Sequence, residues 1–337
     1  MTPRHTTVRI RSAAVAVLCL VLVLAGCGSS RHDSSGGQAD AGAASAAAAA
    51  PSTPYDVTPL IKPSRKYLGV ALATVPKSMT EYDAYSRAIG KRPDLVEYYA
   101  SFGDGFDAQG VRRIYDDGGL PYMAWEPFEP SLASIASGAS DAYVTSFARS
   151  VRALNLPLAI SFGHEMNGNW YAWGMTKATP EDFVKAWRHI HDLFEQAGAT
   201  NVIWAWSPNV INPVPSIALK PYYPGDAYVD WVGMIGYYTV TGQNTFDQLF
   251  GPTMRQVRQF TRRPFVIAET ASQLGPRRQT DVDDLFDGVA AHADVVGFIW
   301  FNVPKRADWR IQSTPHALAE YRKRAAADLF GFDVRKP

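Results

Sequence analysis

The chain has 337 residues, 47% of them hydrophobic and 12% aromatic, which is enough to bury one large core. Its 33 Lys and Arg stand against 32 Asp and Glu, a formal charge of +1 that points neither to nucleic acid nor to an anionic surface. The two cysteines, Cys19 and Cys27, both fall near the N-terminus, so no disulfide framework is available to the body of the chain.

Arg4, Arg9 and Arg11 precede an apolar run from Ala13 to Leu24. The run is short for a membrane span and right for a signal peptide. It ends in Leu24-Ala25-Gly26-Cys27, which resembles the bacterial lipoprotein box. That resemblance implies removal of residues 1–26, a lipid on Cys27, and an exported protein anchored to the cell membrane. Residues 28–53 are Gly, Ser, Ala, Gln and Asp with almost no larger apolar side chain. Such a stretch cannot offset the entropy of ordering itself, and with Cys27 it reads as a flexible linker spanning roughly 30 Å.

From residue 54 to 337 apolar runs alternate with amphipathic segments. Strands are expected at Tyr67–Leu72, Leu95–Phe102, Leu120–Trp125, Pro157–Phe162, Val202–Trp206, Trp231–Tyr237, Phe265–Ala268 and Val295–Phe301. Thr179-Pro180-Glu181-Asp182 reads as a cap, a first-turn proline and two acids opening a helix, with Phe183, Ala186, Trp187, Ile190 and Phe194 at helical spacing. Thr245 to Phe260 and Thr314 to Leu329 also read as helices, whereas the proline-rich connection from Trp206 to Trp231 does not. Continuous apolar strands between helices imply a parallel sheet covered on both faces. Eight such units closing on themselves make a single (β/α)8 (TIM) barrel of α/β class; a doubly wound open sheet is the alternative.

Active groups in such a barrel sit at the C-terminal strand ends. Glu165, in Gly163-His164-Glu165-Met166-Asn167-Gly168-Asn169-Trp170-Tyr171-Ala172-Trp173, follows the fourth strand, and Glu269, in Ala268-Glu269-Thr270, follows the seventh. Two carboxylates facing each other across the mouth are what glycosidic cleavage requires: one donates a proton to the leaving oxygen and the other attacks the anomeric carbon. An ionised Glu269 is expected to raise Glu165 and keep it protonated until the nucleophile is consumed.

These strings resemble glycoside hydrolase family 26. The likeness extends to Tyr222-Tyr223-Pro224-Gly225-Asp226-Ala227-Tyr228-Val229-Asp230-Trp231-Val232-Gly233 and to Asp308-Trp309-Arg310-Ile311, about residues 66–330 in all. It implies a β-mannanase-like barrel enzyme that cleaves β-linked glycans with retention and without a cofactor. Carried over by position, Glu165 matches the acid/base and Glu269 the nucleophile. His164 and Tyr237 match groups that orient nucleophile and sugar, and Trp170 and Trp300 match aromatic walls. At the third strand end the chain reads Met123-Ala124-Trp125-Glu126-Pro127, where family β-mannanases tend to carry a histidine. Mixed-linkage β-glucan therefore stands as an alternative to β-1,4-mannan; the tether, which would hold the site close to the cell, adds a bacterial envelope polysaccharide, and a non-catalytic carbohydrate-binding lipoprotein stands as the rival class.

The remaining candidates divide by chemistry. Flat C–H faces of sugars stack on aromatic planes, which singles out Trp170, Trp173 and Trp300. Strand phase leaves Trp125, Trp204 and Trp206 open, and Trp125 is carried with Asn167 among the candidate substrate-binding residues. Trp187 and Trp231 read as core. Glu126 and Glu129 are subsite acids or surface charge, and a one-residue shift would exchange Tyr237 with Tyr238. Position 168 is glycine, so His164-Glu165 lacks the second histidine of a zinc-protease helix, and His189 and His191 diverge on their helix. No metal site is expected. The expected partner is a β-linked polysaccharide, acted on by a monomer that meets the membrane only through its lipid.

Overall fold

The computed structural model describes residues 53–211, 217–243 and 245–337. The expected signal peptide, Cys27 and the linker up to residue 52 lie outside the described residues.

Eight parallel strands close into one barrel in sequence order. They are β1 Tyr67–Ala71, β2 Leu95–Ser101, β3 Leu120–Glu126, β4 Leu158–Phe162, β5 Val202–Trp206, β6 Trp231–Ile235, β7 Phe265–Thr270 and β8 Val295–Phe301. β8 pairs with β1 from Tyr67↔Gly297 to Ala71↔Phe301, so no edge is left open. The open-sheet alternative is thereby excluded.

Side chains alternate along each strand between barrel interior and helix layer. On β3, Trp125 stacks against Phe147 at 4.7 Å and meets Phe194 edge-on, both from the surrounding helices Asp141–Leu154 and Pro180–Ala197. Tyr122, three residues earlier, points the other way: its hydroxyl lies 2.9 Å from Ser207 Oγ, which also accepts from Ser161 Oγ at 2.7 Å. This hydroxyl cluster satisfies polar atoms deep in the barrel.

The helix Pro180–Ala197 begins as expected. Thr179 accepts from Asp182 N, the Asp182 carboxylate receives the Thr179 backbone N–H, and Gly198 ends the helix at φ 71°. The segment expected as one helix over Thr245–Phe260 is instead two, Phe246–Leu249 and Gly251–Val257. Pro252 has no N–H to continue the first helix and sits in the first turn of the second. Between Trp206 and Trp231 the described residues form the 3-10 turns Lys220–Tyr222 and Asp226–Tyr228 and an isolated parallel bridge from Asn209 to Ile235.

The N-terminal end of the barrel is covered by the chain's own segments. Trp231 Nε1 and the Tyr67 hydroxyl donate to Ile61 O and Leu60 O, and Phe332 packs on Tyr67 at 4.8 Å. The opposite end, where β3, β4 and β7 deliver Glu126, Glu165 and Glu269, carries the site.

Candidate active site

After β4 the backbone turns sharply. Gly163 has φ 56° and Glu165, a residue with a full side chain, has φ 55°. This left-handed conformation costs on the order of 1–3 kcal/mol in a non-glycine residue. It is held by the Glu165 N–H donating to Ser207 O at 2.7 Å and by Trp173 Nε1 donating to His164 O at 2.7 Å. On the far side, the pairing of β7 with β6 and β8 slips in register beside Glu269. Such irregularities re-aim a side chain at a barrel rim.

Both carboxylates line one cavity of about 320 Å³, together with Tyr99, Trp170, Tyr171, Tyr237, Phe301, Lys305, Arg306 and Trp309. Each is held from two sides. Glu165 accepts from Trp170 Nε1 at 2.9 Å and from Asn209 Nδ2 at 2.5 Å. Glu269 accepts the Tyr99 hydroxyl at 2.5 Å on Oε2 and the Tyr237 hydroxyl on Oε1. Phenol donors of this kind leave each carboxylate oxygen a free lone pair while fixing the plane of the group.

Burial raises the affinity of both groups for protons. It pushes Glu269 up to about 8, with the charge of Glu165 adding to the rise and the Tyr99 hydrogen bond opposing it. It also raises Glu165, against hydrogen bonds from Trp170 and Asn209 and the charges of Lys305 and Arg306. Burial is the largest cause of the rise at Glu165, and the equally buried Glu269 is raised alongside it.

The other candidates fall into three positions. Trp170, 39% exposed, and Tyr237 stand on the cavity wall, whereas the hydroxyl of buried Tyr238 bonds Asp284. Asn167 and His164 stand one layer behind. The Asn167 amide bonds both Asn209 N and Asn209 O at 2.9 Å, so it fixes the residue that holds Glu165 and does not itself face the cavity. His164 Nε2 lies 3.1 Å from the Tyr171 hydroxyl; burial, with Lys305 adding, lowers the ring to about 3 and keeps it neutral. The expectation of sugar contact is corrected for three tryptophans. Trp125 faces the helix layer, as described above. Trp173 is buried behind Tyr171, stacked on it at 4.3 Å. Trp300 faces the helix Pro315–Ala325 through Tyr321, and its Nε1 donates to Trp309 O. The aromatic wall is instead Trp170, Tyr171, Phe301 and Trp309.

Tyr99, Asn209 and Glu97 escaped the sequence reading. Glu97 precedes Tyr99 by two residues on β2, so it faces the barrel interior below the cavity; it is buried, and its Oε2 has no hydrogen-bond partner. The alternation Glu97–Tyr99 on an apolar strand was the available signal. Asn209 follows β5 in the connection that carries no helix, and nothing local distinguishes it. Among the described residues no group of three or more His, Cys, Asp or Glu could hold a metal ion.

Residues 138–262 match the model of glycosyl hydrolase family 26. Endoglucanase H of Acetivibrio thermocellus is 30% identical over 274 residues, 77% of this chain and 30% of that protein. A mannan endo-1,4-beta-mannosidase of Bacillus subtilis is 28% identical over 118 residues, 32% of this chain and 28% of that protein. The matches support a glycoside hydrolase family 26 domain. The chain spans less than a third of the length of these two relatives. Among solved structures, the family 26 β-mannanase of Bacteroides ovatus superposes with TM-score 0.63 at 15% identity, covering 81% of this chain and 92% of that one. A modular endo-β-1,4-mannanase of Cellulomonas fimi gives 0.64 at 16%, covering 81% and 74%. At that identity the family 26 structures establish the shared barrel alone. The segment matching the family 26 model includes Glu165, Asn209 and Tyr237 and stops before Glu269.

Proposed function

We propose that the chain is a retaining, endo-acting hydrolase of β-linked glycans, with β-1,4-mannan as the preferred backbone. The reading is carried by one observation: Glu165 and Glu269 share the wall of a single cavity, each buried and each held by two donors. In the first step Glu165 protonates the glycosidic oxygen while a Glu269 oxygen attacks the anomeric carbon; the bond to the leaving sugar breaks and an ester forms on Glu269. In the second step the ionised Glu165 takes a proton from water, whose oxygen attacks the same carbon and releases Glu269 as a carboxylate. Tyr99 and Tyr237 keep the nucleophile's plane fixed through both steps, and their phenols receive the charge when it returns.

Mixed-linkage β-glucan is the second reading. It is favoured by the endoglucanase name of the relative that spans 77% of this chain and by Glu126 at the end of β3. Assay of the purified chain on mannan and on mixed-linkage glucan separates the two. Glu269→Ala is expected to lower kcat/KM on the better substrate by about a thousandfold or more, roughly 4 kcal/mol of transition-state stabilisation, with binding retained. Unchanged hydrolysis by that variant would remove the nucleophile assignment.

A further inference from the structure

Resting on the glycan-hydrolase reading above, we infer that the substrate is an acidic β-glycan: Lys305 and Arg306 of the cavity rim receive a carboxylate carried by a sugar next to the bond that is cleaved. The two cations sit on a small hairpin after β8, formed by β9 Pro304–Lys305 and β10 Ala307–Asp308 with Arg306 at its tip. Both line the cavity that contains Glu165 and Glu269.

Three observations carry the assignment. First, neither the Lys305 ammonium nor the Arg306 guanidinium has a hydrogen-bond or ion-pair partner among the described residues. The nearby Arg310 shows what a structural cation looks like in the same segment: it is bound through two nitrogens to Asp308, at 2.9 Å each. Lys305 and Arg306 are exposed at the rim, so both heads are free to meet a ligand. They act on Glu165 through space, and Lys305 also acts on Glu269 and Glu126. Second, Arg306 is held at φ 63°, a left-handed conformation that glycine would adopt freely at a hairpin tip. Strain carried by a long charged side chain at a cavity rim marks a place where the side chain is used. Third, the hairpin is tied to the aromatic wall. Trp309 Nε1 donates to Lys305 O, and Trp309 packs against Tyr237 at 4.8 Å. Trp309, Lys305 and Arg306 thus line the same cavity from one hairpin.

Neutral hydroxyls need no such pair. A carboxylate fits it, because the planar guanidinium matches two carboxylate oxygens and the ammonium supplies a point charge beside it.

The test compares native β-1,4-glucomannan with the same polymer oxidised at C6 to carboxylates. Binding is measured on full-length Glu269→Gln, which keeps the site and does not depend on turnover, and hydrolysis of both polymers is measured on the wild type. The oxidised polymer is expected to bind roughly tenfold more tightly at about 20 mM salt, with the gap closing near 0.5 M as the charges are screened. Lys305→Gln with Arg306→Gln is expected to erase the difference between the polymers, with thermal unfolding used to check that the variant is folded. Equal or weaker binding of the oxidised polymer at low salt overturns the inference. So does no measurable binding of it, or a preference that survives the double substitution. Should the wild type hydrolyse neither polymer, the hydrolase reading is the one that fails, because the binding comparison reads the cations independently of turnover.

Discussion

Glu97 illustrates how a single buried carboxyl shapes the pH response of the barrel. Burial raises it well above the ordinary carboxylate range, and the nearby charges of Glu269, Glu126 and Glu165 add to the rise. In the unfolded chain it titrates near pH 4.3. Below that value both states hold the proton and the group carries no penalty. As pH rises, the unfolded chain releases the proton while the fold retains it, so stability falls until the folded group ionises. Glu97→Gln keeps the shape and removes the titration. The variant is expected to melt above the wild type by roughly a few degrees at pH 8, with the difference vanishing near pH 4.5. Thermal unfolding at the two pH values checks this. A variant that melts lower by the same amount at both would show that the carboxyl makes a contact the amide cannot replace.

At the scale of elements, the turn after β4 does more than deliver Glu165. Gly168 lies under the Trp170 ring: a Cβ there would stand 2.4 Å from Cζ2 of the indole. Gly168→Ala is therefore expected to displace Trp170 and break its bond to Glu165. Removing a hydrogen bond to a charged group costs about 1.5–3 kcal/mol, so kcat/KM should fall between roughly tenfold and a hundredfold. Kinetics of the variant, with its unfolding temperature close to that of the wild type, check the claim; unaltered kinetics would separate Trp170 from the chemistry. The string from His164 to Trp173 was legible in the sequence because it is local and chemically distinctive. Its inner division of labour was not. Trp173, Asn167 and His164 stand behind the wall in a segment of turns with positive φ at Gly163 and Glu165, and no spacing rule for a regular strand or helix predicts which of its side chains face the cavity.

For the molecule as a whole, eight apolar runs were enough to read the barrel, and strand boundaries fell within two residues for all eight strands. Periodicity states where strands lie. It does not state their phase, which is why Trp125 and Trp300 proved to face the helices while their neighbours Glu126 and Phe301 face inward. Tyr99, 170 residues from Glu269, and Asn209, 44 from Glu165, became visible only when the barrel closed.

The account depends on two carboxyls at one end of that barrel acting from opposite sides of the same bond. Proton NMR of the first product formed from a soluble β-glycan tests this most directly. Double displacement predicts that the new reducing end appears first as the β-anomer and reaches the equilibrium mixture only by mutarotation. An initial α-anomer would require water, and not Glu269, to attack the anomeric carbon, and would contradict the account.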